Sequence, residues 1–383
     1  MKHIFIIGSK GIPAAYGGFE SFVEQLTRSR VSEEIKYHVA CQGAETKEYQ
    51  YQNAHCFQLK VPKIGPAKAV YYDIMAFRYC LNYIKANQIQ SPIIYILACR
   101  IGPFIHALNR RLKKSSGKIF INPDGHEWMR AKWNAAIRRY WKFSERLMVK
   151  NADEVICDSK NMQTYIKDEY RGDSPSTHFI AYGAKISKSK LSDEGAQKNW
   201  YQKFGILPGE FYLVVGRFVP ENNYETMIRE FMSSDSTKKL VLISNVDSNK
   251  FYYALQKRTG FDADDRICFA GTVYDEELLK KIREDAFAYL HGHEVGGTNP
   301  SLLEALSCSE LNLLLDVGFN REVGEDGALY WTKEAGDLKR LMTQAEQLSA
   351  EQREVLGEKA KARIREHYSQ ERITKAYEDI FLS

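Results

Sequence analysis

His293 to Ser307 reads HEVGGTNPSLLEALS, and its residue types suit the binding of an anion. Paired glycines leave backbone amides unshielded. Asn299 is a favourable helix N-cap and Pro300 fits the first helical position. The amides of Gly296, Gly297, Ser301 and Leu302 are expected to point at a phosphate, and the helix dipole favours its charge. Thr298 and Asn299 complete the loop. Glu304, about one turn into the helix, can accept hydrogen bonds from a hydroxyl beside that phosphate. The same pieces also make an ordinary strand, turn and helix.

Three further stretches carry chemistry. VVGRFVPENNYETMI places Arg217 just past a strand end, where its guanidinium can grip a phosphate with two parallel hydrogen bonds. Glu221 follows on the same loop, and a solvated Arg–Glu pair is the plain alternative. GSKGIPAAYGGFE, after the first apolar run, departs from both the dinucleotide and the P-loop fingerprints. Its Gly8, Gly11, Gly17 and Gly18 still let backbone approach a ligand. NPDGHEWMRAKW, CDSK and AYGA then place Asp124, His126 and Lys132, Asp158, and Tyr182 at or beyond three other strand ends. Ligands of open α/β sheets bind at such carboxyl ends. Each of these residues can equally serve as a loop cap or an ion-pair partner.

Two metal-like patterns carry no such chemistry. Asp262-Ala263-Asp264 sits in a polar run before a strand, and His291-Gly292-His293 lacks a third ligand at suitable spacing. No metal and no cofactor are expected.

The elements that must hold these residues alternate strand and helix along the chain. HIFIIGS, YHVACQ, HCFQLKV, PIIYILAC, KIFINPD, DEVICDS and HFIAYGA read as strands in the first half. FYLVVGR, KLVLISN, RICFAGT, AFAYLHG and LNLLLDV read as strands in the second. Apolar runs of this length between amphipathic helices predict parallel sheets covered on both faces. The alternation pauses from Lys185 to Pro208, a polar junction. The expected domains are therefore residues 1–184 and 185–366. Residues 367–383 form a helix expected to cross back to the first.

The chain has 383 residues, a net charge of +5 and 44% apolar residues, ample for two cores. From Arg100 to Lys150 thirteen Lys/Arg face three Asp/Glu, among several aromatics. The helix AAIRRYWKFSERLMVK offers Arg138, Arg139, Trp141 and Lys142 to an anionic phospholipid or a lipid diphosphate. It can also simply cover a sheet. Nucleic acid is disfavoured, because no recognised motif accompanies the charge. Seven scattered cysteines without a CxxC pair suit a reducing compartment. With no signal peptide and no transmembrane run expected, the chain reads as cytoplasmic and peripheral on the inner face of the cell membrane.

Taken together, the GG loop, GR-x-x-P-E-N-N and GGTNPSLLEAL resemble the retaining GT-B glycosyltransferases of family four. The resemblance spans essentially the whole chain. IIGSKGIPAAYGGFE, PDGHEWMRAKW and HEVGGTNPSLLEAL more narrowly resemble bacterial rhamnosyltransferases of capsule and cell-wall polysaccharide synthesis. The fold implied is two doubly wound Rossmann-like domains facing across a cleft. The activity implied is transfer of L-rhamnose from dTDP-rhamnose to a sugar on a polyprenyl diphosphate. By the same resemblance Arg217 holds the donor diphosphate, Glu304 the nucleoside sugar, and the amides around Gly296, Gly297 and Ser301 the departing charge. Asp124 or Asp158 orients the acceptor hydroxyl, and His126 contacts the donor sugar. Two positions depart from the family. Asn222 stands where it has a lysine, and Gly296 where it has the first of two glutamates. A sugar-nucleotide epimerase of the same fold and a non-catalytic sugar-nucleotide binder are the rival readings.

Overall fold

The computed structural model describes residues 1–14, 17–62, 64–129, 133–192, 194–247, 249–295 and 297–383. It divides into two compact units, Met1–Gly183 with Gln370–Ser383, and Ala184–Ser369.

The first unit is built on eight strands: β1 (Lys2–Ile7), β2 (Ile35–Gly43), β3 (Lys47–Tyr51), β4 (Ala54–Lys60), β5 (Ile93–Leu97), β6 (Lys118–Asn122), β7 (Glu154–Cys157) and β8 (Thr177–Phe179). Their order is β3-β4-β2-β1-β5-β6-β7-β8, and every pair is parallel except β3 with β4. The central β5, IIYIL, is buried at every position, as a strand covered on both faces must be. The covering helices include Gly18–Arg28, Lys68–Ala86, Gly102–Leu112, Ala135–Asn151 and Lys160–Glu169. The last helix of the chain, Gln370–Leu382, also belongs here. Its Glu378 carboxylate accepts from the amides of Val31 and Ser32, with a shortest distance of 2.7 Å.

The second unit has six parallel strands: β9 (Phe211–Val215), β10 (Lys239–Ile243), β11 (Ile267–Gly271), β12 (Ala288–His291), β13 (Asn312–Leu315) and β14 (Leu329–Trp331). Their order is β11-β10-β9-β12-β13-β14, so the chain reverses its winding between β9 and β12. That is the switch point at which open α/β sheets bind ligands.

Three features differ from the sequence expectation. The junction from Lys185 to Pro208 contains a helix, Glu194–Phe204, anchored by Tyr201 and Gln197 to Asp285 at 2.8 and 2.9 Å. β3 is an additional edge strand; its sequence KEYQY is too polar to announce one. β14, LYW, is additional as well, and is only three residues long. Among the described residues no helix is long and apolar enough to cross a membrane.

Candidate active site

The switch point of the second unit is made by two loops fastened to each other. The first follows β9. Arg217, two residues past its end, is exposed. The side-chain amide of Asn222 donates to the Arg217 carbonyl at 2.8 Å. Its oxygen must then be the acceptor toward His293 Nδ1 at 2.7 Å, which fixes the proton on that ring nitrogen. Asn223, at φ +54°, donates to the Gly292 carbonyl and to the Glu294 carboxylate, both at 2.9 Å. The Glu294 amide donates to the Glu221 carbonyl at 3.2 Å. Gly292 is required at this crossing, because a Cβ there would lie 2.5 Å from the Asn222 carbonyl oxygen. The departure at Asn222 therefore has a structural use: it ties the Arg217 loop to the loop after β12. Glu294 is held by Lys333 at 2.8 Å.

The second loop leads into the helix Pro300–Leu306. Asn299 caps it, accepting from the amides of Ser301 at 2.9 Å and Leu302 at 3.4 Å. This corrects the expectation for those two amides, which the cap already occupies. The Ser301 side chain takes over the contact with the sheet. Its hydroxyl donates to the Val215 carbonyl at 3.3 Å and lies 3.1 Å from the Tyr289 hydroxyl. Ser301 thus touches the strand that carries Arg217. Gly297 and Thr298 are buried in the loop between, and Gly296 lies outside the described residues.

Glu304 is half exposed, and its carboxylate meets the guanidinium of Arg283 at 2.7 Å. Arg283 also donates to the Ser301 hydroxyl at 3.2 Å, while its side chain is only 5% exposed. Sequence reasoning missed Arg283. It closes an amphipathic helix, Glu276–Glu284, where a cation reads as solvated. Burial pushes the Tyr289 hydroxyl up to about 12, against the pull of Arg283. Burial, aided by His293, holds the His291 imidazole well below its ordinary range.

In the first unit the glycine loop is pinned by two carboxylates of the helix it enters. Glu20 accepts from the Lys10 amide at 2.6 Å and Glu24 from the Ala14 amide at 2.7 Å. Gly17, at φ +137°, precedes Gly18 at the helix start, and a Cβ on Gly17 would lie 1.9 Å from the Glu20 carboxylate. The Gly8 carbonyl accepts from Arg100 at 2.7 Å, and Arg100 pairs with buried Asp73 at 3.2 Å. Burial raises Asp73 to about 6, against the attraction of Arg100.

Asp124, Asp158 and Tyr182 come together beyond β6, β7 and β8. Asp124 takes φ +62°, and its amide donates to Asn122 at 2.8 Å. The Tyr182 hydroxyl is hydrogen-bonded to Asp158, and burial with the charges of Asp158 and Asp124 drives it far above the ordinary phenol range. His126 keeps other company. Its ring packs on Tyr165 at 4.3 Å and Trp128 at 5.7 Å, and burial, then Lys142, lowers its pKa.

The basic helix Ala135–Asn151 corrects two expectations. Trp141 is buried, 8% exposed, with its ring beside those of Trp133 and Tyr140. Lys142 is engaged internally, paired with Glu169 at 2.8 Å and lying over the rings of Trp128 and Tyr165, each at 4.8 Å. The exposed stripe is Arg139, Phe143, Arg146 and Lys150. Beside it an open recess of about 410 Å³ is lined by Trp128, Met129, Arg138, Arg139 and Lys142. Lys132 lies outside the described residues.

Among the described residues no three His, Cys, Asp or Glu side chains gather as a metal ion requires. Asp264 is instead paired with Arg266 at 2.7 Å.

Comparison with known proteins agrees with this architecture. Residues 197–363 match the family "Glycosyl transferases group 1", and residues 1–185 match a domain of unknown function, DUF1972. An uncharacterized glycosyltransferase of Methanocaldococcus jannaschii is 24% identical over 384 residues, covering 95% of this chain and 94% of that one. Sucrose-phosphate synthase of Thermosynechococcus elongatus superposes with a TM-score of 0.79 at 18% identity, covering 100% of this chain and 98% of its own. HepE of Anabaena, solved in complex with UDP, gives 0.70 at 14% identity and 99% of each chain. The trehalose-phosphate synthase of Burkholderia xenovorans, solved with glucose-6-phosphate, gives 0.77 at 10% identity and 100% of each chain. Residues 197–363 thus match the glycosyl transferase group 1 family, and the chain has the GT-B fold of the structures it superposes on.

Proposed function

We propose that this glycosyltransferase moves L-rhamnose from dTDP-rhamnose to a sugar carried on a polyprenyl diphosphate, with retention of configuration. The observation that carries the donor half is the join at Val215. There the Ser301 hydroxyl reaches the strand whose extension bears the exposed Arg217. A diphosphate leaving group needs a cation where its charge grows, and this join sets the strand end bearing Arg217 beside the loop that enters the helix. Arg217 holds the diphosphate, helped by the loop of Gly297, Thr298 and Asn299, and Glu304 accepts from the nucleoside sugar.

In the proposed reaction the bond from the sugar's anomeric carbon to the diphosphate oxygen breaks. The acceptor oxygen bonds to the same face of that carbon, and its proton passes to the departing phosphate oxygen. No enzyme nucleophile and no metal take part. Asp158, Tyr182 and Asp124 orient the acceptor hydroxyl, His126 contacts the transferred sugar, and Glu221 is held in the donor loop. The exposed Arg139, Arg146 and Lys150 face an anionic membrane surface, where a lipid-linked acceptor resides. The enzyme then works in the cytoplasm, peripheral to the inner face of the cell membrane.

The reading is supported by the motif resemblance and by a GT-B relative solved with UDP bound. Its test is transfer from a panel of nucleotide-rhamnose donors to a synthetic polyprenyl diphosphate bearing one sugar, with product configuration read by NMR. Transfer with retained configuration is expected. Absence of turnover with every nucleotide-rhamnose overturns the donor assignment. Interconversion of free nucleotide sugars without acceptor indicates an epimerase instead.

A further inference from the structure

Arg283 is a buried cation adjoining the donor half-site. It rests on one carboxylate, Glu304 at 2.7 Å, and one hydroxyl, Ser301 at 3.2 Å. Burying an arginine is costly unless a charge and hydrogen bonds answer it. The partner that answers this one is 46% exposed, so the pair runs from the interior to the surface. An exposed glutamate alone has free rotamers, and one fixed by a buried guanidinium does not. Ser301 joins the same guanidinium to the Val215 carbonyl, two residues before Arg217. The carboxylate and the strand end bearing the phosphate-binding arginine are therefore fixed to one rigid point.

We propose that Arg283 is a positioning residue for the nucleotide: it holds the Glu304 carboxylate ready for the ribose or deoxyribose hydroxyls of a nucleoside diphosphate. Arg283 itself touches no substrate. Glu304 engages Arg283 through Oε2, and Oε1 serves the sugar hydroxyl. This inference rests on the reading of Glu304 given above and adds the residue that makes it effective. A preorganised acceptor loses less freedom on binding than a mobile one, so Arg283 should act on hydroxyl recognition specifically.

The test compares nucleoside diphosphates with their 2′,3′-dideoxy counterparts by calorimetry, using UDP, dTDP, GDP and ADP on the full chain. For the nucleotide that binds, the wild type should prefer the hydroxylated form by on the order of tenfold or more, the value of a hydrogen bond to a charged group. Glu304→Gln should narrow that preference. Arg283→Met should narrow it to about twofold with Glu304 intact. Arg283→Lys keeps the buried charge but cannot span both partners, and should narrow it several-fold should the Met variant fail to fold. A folded Arg283 variant with the wild-type preference overturns the proposal, as does a wild type indifferent to the hydroxyls. Failure of all four diphosphates to bind removes instead the nucleotide reading on which it rests.

Discussion

Asn222 accepts a hydrogen bond from His293 at 2.7 Å while its own amide donates to the Arg217 carbonyl at 2.8 Å. One side chain thus joins the two loops at the switch point, the proposed donor half-site. Asn222→Ala removes both bonds and leaves a carbonyl and a ring nitrogen to find new partners. A loss of about 1–2 kcal/mol in transition-state binding is expected, or roughly 5–30-fold in kcat/KM. Asn222→Lys restores the family's cation but breaks the bridge, and should not exceed the wild-type rate. Steady-state kinetics with varied donor decides. Wild-type kcat/KM in Asn222→Ala would mean that the bridge does not set Arg217.

The first glycine loop makes a sharper demand. Gly8 takes φ +98°, and a Cβ there would lie 2.2 Å from the Leu97 carbonyl oxygen, which is backbone in the central strand. Neither partner can move without opening β1 from β5. Gly8→Ala should destabilise the first unit by about 3 kcal/mol or more, combining backbone strain with the clash. Urea unfolding monitored by circular dichroism measures it. Gly65→Ala, also at positive φ but with open space around it, should cost far less and serves as the control.

Much of this architecture was legible in the chain. The buried strands announced themselves as apolar runs, because a parallel strand covered on both faces has no polar side to show. Asn299, expected as a helix N-cap, does cap its helix, and the structure adds Asn134, Ser159, Asn249 and Asp275 as caps of four others. What stayed hidden is of two kinds. β3 and the helix Glu194–Phe204 are polar, and tertiary partners rather than periodicity hold them. Arg283 and Asn222 act through residues distant in sequence, and nothing local to either foretells its partner. Asn299 caps its helix as its residue type predicts, and the cap itself occupies the Ser301 and Leu302 amides.

The exposed stripe of the basic helix bears on membrane contact. Arg139, Arg146 and Lys150 are exposed along with Phe143, whereas Trp141 and Lys142 are occupied within the unit. Each cation near an anionic bilayer contributes about 1 kcal/mol. Arg139→Glu with Arg146→Glu should therefore weaken binding to phosphatidylserine vesicles by more than an order of magnitude and raise the salt sensitivity of what remains. Lys142→Gln should instead lower the melting temperature. Vesicle co-sedimentation separates the two. Equal binding by wild type and the double glutamate variant would exclude this stripe as the contact.

Two buried histidines set a pH dependence. His38 bonds to His3 at 2.9 Å and His55 at 3.0 Å, with the charge of Lys36 nearby, and burial first of all lowers it to about 2. His291 is likewise lowered well below 6.5 by burial and His293. Both stay neutral when folded, and both take up a proton below pH 6.5 when unfolded. Stability is therefore unaffected by them above that pH. It is lost as pH falls below it, by up to about 1.4 kcal/mol per pH unit for each histidine. Urea unfolding at pH 7, 6 and 5 should show this slope, and His291→Gln should flatten its share. An unchanged slope in that variant would mean His291 is protonated in the folded protein.

Asp158 offers the most direct test of the proposed acceptor half-site. It is 3% exposed at the end of β7, hydrogen-bonded by the Tyr182 hydroxyl, with the charge of Asp124 close enough to act on the same phenol. A carboxylate there can accept from an incoming sugar hydroxyl and hold its lone pair on the reacting carbon. Asp158→Asn keeps the shape and the bond from Tyr182, and loses the charge. If Asp158 orients or polarises the acceptor, kcat should fall by about 10²–10⁴ with donor binding unchanged. Tyr182→Phe removes only the support and should cost about tenfold. Both variants should melt within a few degrees of wild type, because neither empties space in the core. Single-turnover transfer to the lipid-linked acceptor separates chemistry from donor binding. A kcat for Asp158→Asn within threefold of wild type would reduce Asp158 to a structural partner of Tyr182 and move the search for the acceptor's anchor to Asp124.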